Sequence, residues 1–280
     1  PKDRLRQMMD GVYWDESLCG KLYKRALWAD FSFPDTLQVG EDLYANWHLL
    51  QRAGKVYYTP SQRYHYALRE GSLTNLPQPE GRFGFLTALH EIEMTRAAQE
   101  DEALHHSVQA KFLDVYRDVV RRMVLDTKRA YTAKLQSISQ AMSEQVTAAA
   151  KACVAEPEIL RVMMERAGSY EGMIRHYQKF LEDLRRIAEQ GALYLYGAGT
   201  YAMAAQKALA AQGITIRGFI ISDDRAALSR SPDGEHPVSF LRQVSVEEPS
   251  TGVLICLGLR DMEMVLPGIR QRGIRQIFYW

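Results

Sequence analysis

Glu41 and Asp42 stand side by side behind Gly40, ahead of a run in which Leu43, Tyr44, Trp47 and Leu50 share one helical face. Two chemistries fit such a pair. Acidic side chains in a first turn are favoured by the positive end of the helix dipole, so the pair can simply start a helix that runs to about Ala53 and stops at Gly54. Alternatively, one carboxylate projects into a cleft as a general base, its charge held by the same helix end. The local pattern leaves both open.

A second constellation lies near the other end of the chain. The apolar run Ala192–Tyr196 leads into Gly197-Ala198-Gly199-Thr200-Tyr201-Ala202, a helix of small residues reaches Gln212, and Gly213 stops it before a second strand, Ile214–Ile221. This is the opening of a Rossmann-like βαβ unit. Gly197 permits the tight turn, Gly199 the close approach of a phosphate, and Ala202 the packing of helix on strand, while Asp223 follows where an acidic residue would meet a ribose. Gly197, Ala198, Gly199, Thr200 and Asp223 are thus the candidate contacts for NAD or another nucleotide. No YxxxK pair supports hydride chemistry, and no substrate domain follows the sheet. A structural or partner-binding module is the other reading, because a fold alone does not establish function.

Other chemistry-bearing residues are sparse. His105-His106 has no second cluster beside it, and His48 reads as a solvent-side helix residue. Cys19, Cys153 and Cys256 are far apart, form no CxxC and are odd in number. They read as reduced thiols in a cytoplasmic protein, with neither a disulfide frame nor a zinc site. A peripheral position at the inner face of the membrane is compatible with this reading.

The elements that must position these groups follow from the 280 residues in order, of which 46% are hydrophobic, enough for two domains of ordinary size. Leu5–Met9 suggest a short helix, and Gly20–Trp28 a strand or turn feeding another. Lys55–Thr59 and Arg63–Arg69 carry strand patterns, and LPQPEG at 76–81 reads as a linker. Residues 82–188 are helical almost throughout. Phe112, Val115, Tyr116, Val119, Val120, Met123 and Val124 form one stripe, and Tyr170, Met173, Ile174, Tyr177, Phe180, Leu181, Leu184 and Ala188 another. Between them a weaker face runs through Leu135, Ile138, Met142, Val146 and Ala149. These helices read as a spacer or bundle, or as a surface for homo-oligomer formation. A strand at Gly252–Leu257, a helix over 261–272 and a strand over 276–280 complete the pattern. The fold class is therefore α/β with a helical middle segment, divided at 1–80, 81–188 and 189–280.

Charge excludes some functions. Lys and Arg number 35 against 34 Asp and Glu, and no segment is basic enough to track a nucleic-acid backbone. No apolar run approaches a membrane span, and the charged N-terminus is unlike a signal peptide.

Several motifs in register resemble a family. Trp14 followed by KLYKR (21–25), FPD (33–35), GED (40–42), AGKVYY (53–58), YHY (64–66) and REGSLT (69–74) look like the C-terminal part of bacterial family-2 glycosyltransferases of the GT-A fold. The resemblance covers about a quarter of the chain. It implies an inverting transfer of sugar from a nucleotide-sugar to the hydroxyl of a saccharide acceptor, in polysaccharide or glycoconjugate synthesis. Under that implication Asp42 is the base and Glu41 its neighbour and orienter, and His65, Arg69, Trp14 and Lys21 serve the acceptor. The sequence departs from the family in having no DxD, the motif that holds a divalent metal against the donor diphosphate, and in Ala67, where relatives often carry Arg. A divalent metal is therefore expected only with a preceding donor half, and this chain alone is not expected to transfer sugar. Residues 190–280 resemble the small Rossmann-like domain of sugar acyltransferases and nucleoside-diphosphate-sugar epimerase-like modules, which leaves a non-catalytic nucleotide-sensing or docking role as the alternative.

Overall fold

The computed structural model describes residues 2–12, 16–35, 37, 39–59, 61, 64–65, 80–125, 131–190, 192–223, 231–246 and 250–280. The elements are α1 (Lys2–Met9), a 3-10 turn (Arg25–Trp28), α2 (Glu41–Arg52), α3 (Glu80–Glu93), α4 (Arg96–Gln99), α5 (Glu102–Val124), α6 (Thr132–Cys153), α7 (Pro157–Ala167), α8 (Tyr170–Glu189), β1 (Leu193–Tyr196), α9 (Thr200–Ala211), β2 (Gly218–Ile221), β3 (Val238–Phe240), a second 3-10 turn (Leu241–Gln243), β4 (Gly252–Ile255), α10 (Leu259–Gln271) and β5 (Gln276–Tyr279). The class is α/β. The chain forms two compact units, Pro1–Met123 with Ala148–Cys153, and Val124–Thr147 with Val154–Trp280.

In the first unit α2 is the central helix. Leu43, Ala45, Asn46, Trp47, Leu49 and Leu50 are buried along it, and it packs on α1 and α3. Its entry is set by two glycines. Gly40 has a φ of 94°, a region that L side chains rarely occupy. A Cβ on Gly84 of α3 would lie 1.9 Å from the carbonyl oxygen of Val39. The start of α2 thus rests directly on the backbone of α3. Residues 55–59, in contrast to the strand pattern, form no strand, and Tyr57 is 87% exposed. Alternating side chains make a strand only when a neighbour completes the hydrogen-bonded ladder, and among the described residues none does. Most of the second expected strand, 63–69, lies outside the described residues. On α5 burial extends beyond the apolar stripe: Arg117, Asp118 and Arg121 are buried along with Tyr116 and Val119.

The second unit is a parallel sheet in the order β3-β2-β1-β4-β5 with helices against it. The apolar runs at β1, β2 and β4 are buried at every position, as strands covered on both faces require. β2 begins at Gly218, later than the apolar run, and that glycine lets β3 approach: a Cβ there would sit 2.7 Å from the carbonyl oxygen of Pro237. The stripe on α8 is spent internally: Met173, Tyr177, Phe180, Leu184 and Ile187 are buried, and Ile187 lies against Gly252 at the head of β4. Each such side chain contributes roughly 1.5–3 kcal/mol. The serines of α6 also have a structural use. Ser139 and Ser143 donate to the carbonyl oxygens of Gly168 and Ala167, at 2.8 and 2.7 Å, which satisfies carbonyls that the end of α7 leaves without an intrahelical partner.

Candidate functional site

The acidic pair occupies the first turn of α2, and both Glu41 and Asp42 are half-buried. The Oδ2 atom of Asp42 is 3.5 Å from Ser17 Oγ. Ser17 belongs to a loop that the sequence does not mark, and Asn46, one turn along α2 from Asp42, holds it. Asn46 is 1% exposed. Its Nδ2 donates to the carbonyl oxygens of Glu16 and Ser17, at 2.7 and 3.2 Å, and its Oδ1 accepts from the Tyr23 hydroxyl at 2.7 Å. A buried amide with this many partners fixes a loop more rigidly than apolar contact would. From α5, Lys111 pairs with Glu16 at 3.0 Å.

The same loop carries Lys21, whose ammonium donates to the carbonyl oxygen of Ser17. Tyr64 lies against the loop: a Cβ on Gly20 would be 3.4 Å from the Tyr64 Cβ. The chain around Tyr64 and His65 is thereby brought beside the loop of Ser17 and Lys21, and His65 itself is exposed. Asp42, Lys21 and the 64–65 segment come together around one loop. Trp14 and Arg69 lie outside the described residues.

His48 differs from its sequence reading. It is half-buried, its ring 4.4 Å from Tyr44 and 6.1 Å from Phe31, within an aromatic group that continues through Phe33, Trp28 and Tyr23. Burial, aided by Arg52, lowers its pKa, and burial with nearby Glu91 raises that of Tyr44. Both side chains are therefore held neutral. Tyr44 and His48 follow Asp42 by two and six residues on α2, so they face away from it.

In the second unit the glycine turn follows β1 where the strand order reverses between β1 and β4, the usual ligand crevice of such sheets. Gly197 has a φ of 114°, and a Cβ on it would approach the Cys256 carbonyl oxygen to 3.0 Å. Its freedom is required by the fold itself. Gly199 is different: it caps α9 in extended geometry and a Cβ there would meet nothing within 4 Å. Ala202 is fully buried, in keeping with the packing role read from the sequence. Ala198 and Thr200 flank Gly199 in the turn and at the first residue of α9. Asp223 lies just beyond β2, but its carboxylate accepts from the Arg242 backbone N–H at 3.0 Å and lies 3.5 Å from the Arg242 guanidinium. A ribose there would have to share that carboxylate.

Among the described residues no group of three His, Cys, Asp or Glu is arranged to hold a metal ion, and no helix is long and apolar enough to cross a membrane. No family model, curated protein or solved structure matches the chain.

Proposed function

We propose that residues 12–75 form the acceptor side of an inverting sugar transferase that uses a nucleotide-sugar donor, with Asp42 as the general base. The observation that carries this reading is the placement of the Asp42 carboxylate at the N-terminal end of α2, beside the loop that Asn46 ties down and that presents Ser17 and Lys21. An acceptor hydroxyl is a poor nucleophile at neutral pH. A fixed carboxylate takes its proton as the bond to the anomeric carbon forms, and typically contributes a factor of about 10²–10⁴. Glu41 supports it as a neighbour, and Lys21 supplies a cation for an anionic acceptor group.

The test uses the polypeptide as its gene encodes it, assayed for transfer from UDP-glucose, UDP-galactose and UDP-N-acetylglucosamine. Asp42→Asn should lower transfer by about 10² or more with circular dichroism and melting temperature unchanged, and Glu41→Gln should lower it much less. Full activity in Asp42→Asn removes Asp42 as base.

A second reading has its own support. The open space at Gly199, on the carboxyl edge of the sheet between β1 and β4, fits a nucleotide phosphate, and it favours a nucleotide-sensing module. Thermal stabilisation by NAD or UDP that disappears in Gly199→Val would support it, and a response to neither nucleotide would exclude it.

A further inference from the structure

A groove of about 440 Å³ separates α1 from the segment Gly54–Tyr57 that follows α2. It lies past the far end of that helix, and a rise of about 1.5 Å per residue puts roughly 15 Å of helix between it and Asp42. The groove is therefore distinct from the surroundings of the acidic pair.

Its polar lining consists mainly of donors that the protein leaves unused. Arg4 of α1 is half-buried, and of its guanidinium nitrogens only Nε is sealed from solvent. The two Nη groups stay open. Gln7, three residues on, shares the same helical face, and Lys55 stands exposed on the opposite wall. Among the described residues neither Arg4, Gln7 nor Lys55 has a side-chain hydrogen bond or ion pair. The one carboxylate of the lining is Asp3, whose side chain is 89% exposed and lies 3.7 Å from Arg6. A charge so open to water is well screened. A partly desolvated guanidinium without a counter-charge is unfavourable, and an arriving anion relieves it. Val56 and Tyr57 complete the wall, and the Tyr57 ring is almost wholly free to stack.

We infer that this groove binds a phosphate monoester, its oxygens accepting from the Arg4 Nη groups, Lys55 and the Gln7 amide, and its organic group lying on the Tyr57 ring. At neutral pH such an ester carries nearly two negative charges on three acceptor oxygens. Arginine grips phosphate with two parallel bonds, and lysine adds a point charge. A carboxylate would bring one charge to two cations, and a neutral saccharide none. Inorganic phosphate would leave the Tyr57 ring uncovered.

Phenyl phosphate is a suitable probe, titrated into the 280-residue chain at pH 7 and followed by calorimetry or amide NMR shifts. Binding with a Kd on the order of 1 mM is expected. Arg4→Gln should weaken it at least about tenfold, and Lys55→Gln about two- to fivefold, less at high salt. Tyr57→Ala should bring phenyl phosphate down to the affinity of inorganic phosphate, and benzoate should bind the parent at least about fivefold more weakly than phenyl phosphate. Lys55 and Tyr57 are exposed, so their variants should melt with the parent. If Arg4→Gln melts lower, the double variant Lys55→Gln, Tyr57→Ala carries the test in its place and should bind at least about tenfold more weakly. Sedimentation with phosphatidylcholine vesicles that contain phosphatidic acid, lost in the same variants, would assign the ester to a lipid headgroup; phenyl phosphate binding without vesicle binding would assign it to a soluble molecule. Absence of phenyl phosphate binding, undiminished binding by a folded Arg4→Gln or by the double variant, or equal binding of benzoate would each overturn the assignment.

Discussion

Gly84→Ala is the substitution at which two physical effects of opposite sign meet. Gly84 lies inside α3, where replacing glycine by alanine ordinarily stabilises by about 1 kcal/mol through backbone entropy and helix propensity. Here the new Cβ would lie 1.9 Å from the Val39 carbonyl oxygen and 2.9 Å from its carbonyl carbon. These are backbone atoms, with no side-chain rotamer to give way. Restoring ordinary contact requires the two segments to part by about 1.5 Å, and overpacking of this kind typically costs about 1–3 kcal/mol or somewhat more. The clash therefore outweighs the propensity gain, and a net loss of about 2 kcal/mol is expected. That corresponds to a fall of roughly 4–8 °C in the melting temperature of the first unit. Because Val39 precedes Gly40, Glu41 and Asp42, the same shift should displace the acidic pair. Gly268→Ala in α10 is the control, since a Cβ there would meet only the Leu241 side chain, at an ordinary 3.6 Å. It should be neutral or stabilising. Calorimetry of the two variants decides the matter, and a Gly84→Ala protein as stable as the parent would refute the direct seating of α2 on α3.

Asn46→Ala should cost about 1–3 kcal/mol in urea unfolding, because it removes the bonds to the half-buried Tyr23 hydroxyl and to two loop carbonyls; hydrogen exchange should increase first in residues 16–23. Burial and then Arg166 lower the pKa of His176 below its ordinary value near 6.5, despite Glu165. The unfolded chain therefore takes up this proton first on acidification, so the contribution of His176 is intact above pH 6.5 and is lost as pH falls toward its folded-state pKa. Urea unfolding between pH 8 and pH 5 should show that decline, with a smaller slope in His176→Gln. Gly197→Ala should destabilise the second unit by about 1–3 kcal/mol, given its positive φ and the Cys256 carbonyl 3.0 Å away, whereas Gly199→Ala should leave the melting temperature unchanged. Equal effects at the two positions would contradict the distinction drawn between a structural and an open glycine.

Much of the second unit is legible in the sequence. The apolar runs that become β1 and β4 and the stripe on α8 are local periodicities, and the parallel order follows from strands alternating with helices. The ends are less legible. β2 is shorter than its apolar run, and its first residue must be small because Pro237 lies against it, a contact between residues 19 positions apart. The burial of Arg117, Asp118 and Arg121 on α5 lies outside the apolar stripe that the sequence shows, because burial depends on what packs against a helix. Lys55–Thr59 has strand chemistry without a ladder, since propensity cannot supply a neighbour.

The candidate site divides in the same way. Residue types alone mark Glu41 and Asp42 at a helix start, and the glycine turn after β1, because dipole, turn geometry and periodicity act over a few residues. Only the tertiary structure brings Ser17 and Lys21 to α2, ties their loop to Asn46, separates the structural Gly197 from the open Gly199 and engages Asp223 with Arg242. Those relations join residues between 19 and 59 positions apart, and close packing, unlike periodicity, leaves no mark on the sequence between them.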